Sequence, residues 1–172
     1  MDPDSRKIII LPEQVKTETP KKEKKERVII DKEHWDFDEE TYEPLLQSEI
    51  LSSKSDVKCY NKMIQQINRK VNSYKQQDKT KNLYNSEKLI TGVQVIELLK
   101  SCEFLCYYCR KMVYILYKNV REPLQWTLER MNNDYGHNYD NVTIACLDCN
   151  LHRRTMYHER YVFTKQLVIK KI

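Results

Sequence analysis

A chain of 172 residues has room for one domain of ordinary size and a tail, or for two small domains. Apolar residues make up 40% and charged residues 32%, and the mean hydropathy is -0.76; this predicts a solvated or extended portion, and no apolar run approaches the roughly 20 residues of a membrane helix. The formal net charge of +5 is concentrated: Asn150–Ile172 holds six Lys/Arg against one acid, Glu159, so that segment carries 6 − 1 = +5 and the remainder sums to zero. A basic excess gathered on one stretch suits a polyanion, and a solvated basic tail is the plainer alternative.

Residues 1–52 read as a charged N-terminal arm. The short apolar runs Ile8–Leu11 and Val28–Ile30 flank a basic cluster, Lys21–Arg27, and from Glu33 to Glu49 there are seven acids and no Lys or Arg. Trp35, Phe37 and Tyr42 are interleaved with those acids, so the arm reads either as disordered or as a peptide that docks on a basic surface, of a protein partner or of its own chain. The start, Met1–Lys7, lacks the basic and apolar stretches of a secretory signal, which predicts a reducing intracellular compartment, cytoplasm or nucleus, and no secretion.

Residues 53–101 read as helical. Val57, Tyr60, Met63, Ile64, Ile67, Val71 and Tyr74 recur at steps of three and four, one stripe on a helix over 55–77 capped by Ser55 or Asp56. Thr91 caps a second helix through about Ser101, with Val93, Val95, Ile96, Leu98 and Leu99 turned inward. Cys59 stands outside any pair and reads as an ordinary helix cysteine.

Residues 102–172 carry the strongest signal. Cys106–Cys109 and Cys146–Cys149 are two Cys-x-x-Cys pairs with 36 residues between them. Two intervening residues let both sulfurs of a pair reach one ion, and two pairs complete the tetrahedral thiolate shell that structural zinc prefers. In a reducing compartment such pairs read as metal ligands rather than disulfides. Cys102 packs beneath the site or substitutes as a ligand. Between the pairs, Trp126 and Leu128, then Val142 and Ile144, alternate as two short strands would, and a helix starts at the second pair and runs toward Lys165.

The stretch 102–165 resembles the zinc-knuckle branch of the HNH (His-Me finger, ββα-metal) endonucleases. The text that carries the likeness is Cys106-x-x-Cys109, Leu128-Glu129-Arg130, Gly136-His137-Asn138, Asp140-Asn141-Val142-x-Ile144-Ala145-Cys146 and Cys149-Asn150-x-x-Arg153-Arg154. The resemblance implies an α+β chain ending in a ββα-metal zinc domain, preceded by helices and an extended, partly disordered arm. It also implies a DNA endonuclease in which zinc is structural and a second ion, magnesium, is catalytic. Small HNH proteins of large DNA viruses and mobile elements look similar.

Position by position, the resemblance makes Glu129 the acidic magnesium ligand closing the first strand. Asn141 becomes the asparagine that positions the loop, Asn150 the magnesium ligand from the helix, and Arg153 or Arg154 the cation on phosphate. One departure matters. The family has a histidine base where this chain has Arg130, and a guanidinium stays protonated, so it can hold phosphate but cannot accept a proton from water. His137 is the nearest replacement base; the other reading of it is a loop histidine bonded to backbone. His152 and His158 read as surface helix residues. Three functions follow: a nuclease using Glu129, His137, Asn141 and Asn150; a non-catalytic module gripping nucleic acid or a transcription partner through Arg130, Arg153, Arg154 and Arg160; and a protein adaptor working through the arm and the helix over 55–77, with the zinc domain as a scaffold.

Overall fold

The computed structural model describes residues 37–167. The runs at 8–11, 21–27 and 28–30, Trp35 and the last five residues lie outside them. Among the described residues the chain is α+β. A short 3-10 helix, Glu39–Tyr42, leads into α1 (Pro44–Ser53), α2 (Val57–Thr80) and α3 (Gly92–Ser101). Strands β1 (Trp126–Arg130) and β2 (Val142–Cys146) follow, then α4 (Leu147–Arg153) and α5 (His158–Gln166).

The 24-residue α2 is the spine. Its stripe of Cys59, Met63, Ile67 and Val71 is buried, and Asp56 caps its start by accepting the Cys59 N–H at 3.0 Å. The stripe continues through Asp78, which is also buried. Thr91 and Gln94 form a reciprocal capping box at the start of α3. Val95 and Leu99 are buried there, whereas Val93, expected inside, is 66% exposed.

The two strands pair antiparallel, with Leu128 opposite Ile144 and Trp126 opposite Cys146. A two-stranded ribbon has two free edges, and α2 covers part of one of them. The Tyr74 hydroxyl accepts the Leu128 N–H at 3.1 Å, and the Lys70 ammonium donates to the Trp126 carbonyl and to Gln125. Lys70 lies over the rings of Tyr117 and Trp126, and burial pushes its amine down to about 7.

Two expectations are corrected. The arm is not extended over its described part: residues 44–53 form α1, with Gln47, Ile50 and Leu51 buried. Gln47 donates to the Leu116 carbonyl at 2.9 Å and accepts the N–H groups of Ile115 and Leu116 at 2.8 and 2.9 Å. Ahead of it, Glu39 pairs with Lys118, whose ammonium also lies over the Tyr42 ring, and Lys58 lies over Phe37. The described part of the acidic-aromatic stretch, from Phe37 on, thus packs on its own chain. The final helix is also not continuous. Arg154, at φ 53° and ψ -113°, breaks it into α4 and α5.

One cluster of buried side chains joins α1, α2 and α3 to the hairpin and to Tyr161 of α5. Among the described residues, no helix is long and apolar enough to cross a membrane.

Candidate metal centre and the adjoining clasp

The sulfurs of Cys106, Cys109, Cys146 and Cys149 all lie within 4.8 Å of one another. Thiolates around a tetrahedral zinc, with bonds of about 2.3 Å, sit about 3.8 Å apart, and Cys109 and Cys146 stand 3.9 Å apart. The donor set and its spacing fit zinc. The backbone builds the site on both sides. Arg110, at φ 59°, turns the first knuckle, closing Cys106 N–H onto the Lys111 carbonyl, and Tyr107 N–H bonds the Ile144 carbonyl of β2. In the second knuckle the Cys146 sulfur caps α4 by accepting the Cys149 N–H at 3.4 Å. The Tyr108 ring stands edge-on to Tyr161, centroids 4.8 Å apart, and so ties α5 to the first knuckle. Cys59 and Cys102 stay outside the cluster; the Cys102 sulfur bonds the Leu99 carbonyl at 3.4 Å.

Because Cys146 ends β2 and Cys149 lies in α4, the cysteine site fixes the helix across the hairpin. Thr127 and Glu129 share one face of β1, and α4 meets that face with Asn150 and Arg153, one turn apart. The Asn150 amide donates to Thr127 Oγ1 at 3.1 Å and lies 3.5 Å from the Leu128 carbonyl. The Arg153 guanidinium pairs with the Glu129 carboxylate and donates to the Met131 carbonyl at 3.2 Å. Both charges are sealed in, with side chains 2% and 6% exposed. Burial pushes Glu129 up to about 7, outweighing the guanidinium beside it.

This placement corrects Arg153 as a surface cation for phosphate: it is an internal counter-ion. Arg130 is half-buried and spends its guanidinium on the carbonyls of Asn133 and Tyr135, at 3.2 and 3.1 Å. Arg154 and Arg160 are exposed.

The loop between the strands is held by Asn141. Its carboxamide accepts the Asn132 N–H at 3.0 Å and donates to the carbonyls of Asn132 and Gly136 at 2.9 and 3.0 Å. His137 is 5% exposed and bonded to a side chain, Asp78, rather than only to backbone. Burial lowers its pKa, against the opposing pull of Asp78. His152 is exposed on α4, and its ring meets the Asp148 carbonyl at 2.7 Å; His158 is half-buried at the start of α5.

Asp78 is the residue that the sequence reading passed over. Steps of three and four from Val71 through Tyr74 reach it, so the spacing alone puts it on the buried face of α2, where a carboxylate requires a partner.

The residues around Glu129 fit a divalent ion less directly than the cysteines fit zinc. The carboxylate and the Asn150 carboxamide are oxygen donors, but a guanidinium already occupies the cationic position. Comparison with protein-family models, with curated proteins and with solved structures finds no match for this chain.

Proposed function

We propose that this chain is a metal-dependent HNH-type endonuclease acting on DNA, with zinc as a structural ion and the hairpin–helix clasp as the reaction site. One juxtaposition carries the reading. Glu129 near the end of β1 is faced from α4 by Asn150 and Arg153, while the cysteine cluster ties α4 to β2, the strand paired with β1. A carboxylate sealed at that point needs a cation. Arg153 supplies one in this structure, and a magnesium ion would have to stand in its place. When bound, the ion stabilises charge on the phosphate and the leaving oxygen. Glu129 and Asn150 would hold the ion, Asn141 shapes the loop, and His137, whose pKa is lowered by burial, accepts the proton of water. Arg154 and Arg160 hold the DNA backbone from outside.

The test is nicking of supercoiled plasmid by the zinc-loaded protein, with magnesium and with chelator. Glu129→Ala and His137→Ala should each abolish nicking and leave binding intact. A wild-type protein that never nicks any form of DNA in magnesium overturns the reading.

The Glu129–Arg153 pair itself favours a second reading. If the guanidinium keeps the cation's place permanently, the chain is a non-catalytic zinc module that binds nucleic acid or a transcription partner. DNA binding without cleavage, weakening steeply with salt as phosphate contacts release counterions, is its signature.

A further inference from the structure

Helix α2 lies outside the stretch that resembles the nuclease core, yet its last turn enters the loop of the proposed site. Asp78 is 1% exposed and commits both oxygens to one residue. Oδ2 accepts the His137 backbone N–H at 2.7 Å, and Oδ1 meets the imidazole Nδ1 at 2.7 Å. Gly136 makes the approach possible: a Cβ there would stand 2.5 Å from the Leu83 carbonyl oxygen and 2.8 Å from Asp78 Oδ2. On one side of the imidazole stacks Tyr74, ring centroids 4.4 Å apart. The hydroxyl of that same tyrosine holds Leu128 N–H, one residue before Glu129. A carboxylate only accepts, so the ring proton sits on Nδ1 and Nε2 is left bare.

We propose that Asp78 is a positioning residue for phosphodiester hydrolysis, holding His137 as the Nδ1–H tautomer so that Nε2 takes the proton from the attacking water. This rests on the endonuclease reading. The water oxygen forms the new bond to phosphorus as its proton passes to Nε2. The bond from phosphorus to the leaving oxygen breaks, and that oxygen keeps the electron pair and is protonated from solvent. The imidazolium is stabilised across its bond to Asp78 until it returns its proton to solvent. The other groups facing the ring are Tyr74 of α2, Lys81 just beyond it and Arg130 of β1. Burial above all, and then the two cations, favour the neutral imidazole, and Asp78 is the group that favours its charged form.

The experiment uses the full-length zinc-loaded protein. Imidazole 15N–1H spectra of the wild type should show Nδ1 protonated and Nε2 bare near neutral pH, a readout that needs no variant. Asp78→Asn should keep one zinc per chain, lose the fixed tautomer, and nick plasmid at least about tenfold more slowly. The acid limb of its pH profile should move to lower pH, because the group that raises the His137 pKa is gone. An Nε2–H tautomer in the wild type overturns the proposal. So does an Asp78→Asn protein that nicks at the wild-type rate with an unmoved profile. A wild type inactive on DNA is a different failure: it removes the endonuclease reading and this role together. Should Asp78→Asn not fold, the wild-type spectrum decides.

Discussion

Two opposite charges sealed between β1 and α4 make the interior sensitive to either one alone. Arg153→Met leaves Glu129 buried without a cation, which typically costs about 3–5 kcal/mol; denaturant midpoints should show it, and Glu129→Gln in the same background should recover much of it. The acid also sets a pH slope. Its folded pKa of about 7 lies above the usual 4.5, so the folded state binds the extra proton. Stability from this group is therefore greatest below the lower value and is lost as pH rises through the upper one. Between about pH 5 and 7.5 the wild type should lose stability relative to Glu129→Gln, a difference that cancels proton release by the thiolates. At this scale the sequence disclosed the donor atoms but not their partners. Arg153 reads as a phosphate cation because nothing in Cys149-Asn150-Leu151-His152-Arg153 tells which face of α4 meets Glu129. Asp78 sits on a legible stripe, yet its partner lies 59 residues away.

Among the elements, α2 and α3 are legible because each carries a regular apolar stripe behind a capping residue. Strands β1 and β2 are legible from alternation between the knuckles. Helix α1 is hidden by its surroundings: seven acids precede or enter it, and its anchoring residue, Gln47, is polar. That glutamine acts as a substitute strand, satisfying three backbone groups at Ile115 and Leu116. Gln47→Ala should therefore cost about 1–3 kcal/mol through unsatisfied buried groups, well beyond the area lost; the fall in melting temperature measures it. The break between α4 and α5 had no glycine or proline to announce it. An arginine at positive φ turns the chain, and Tyr161 beyond it reaches the Tyr108 ring.

For the molecule as a whole, the cysteine site decides whether the C-terminal half holds together. It joins the first knuckle, β2 and α4 at one point, and the binding energy of an ion held there would be folding energy. A zinc chelator should melt the hairpin and α4 first, with loss of amide protection there before α2 and α3. One zinc per chain should restore both. The clustering of the four cysteines was legible, since their spacing alone brings two pairs toward one point. The packing of α1, α2 and α3 into the same core was not, because it depends on contacts between residues far apart in the chain.

Lys70, Tyr74 and Asp78 follow one another at four-residue steps along α2 and grasp Trp126, Leu128 and His137 in turn. Four helical residues climb about 6 Å, and two strand residues advance about 6.7 Å, so helix and ribbon keep step from Trp126 to Leu128, and the loop brings His137 to the next position. A single alanine inserted between Asn72 and Ser73 swings everything beyond it by about 100°, uncoupling Tyr74 and Asp78 together while sparing Lys70. Loss of the fixed His137 tautomer with zinc still bound would be the mark of that lost step.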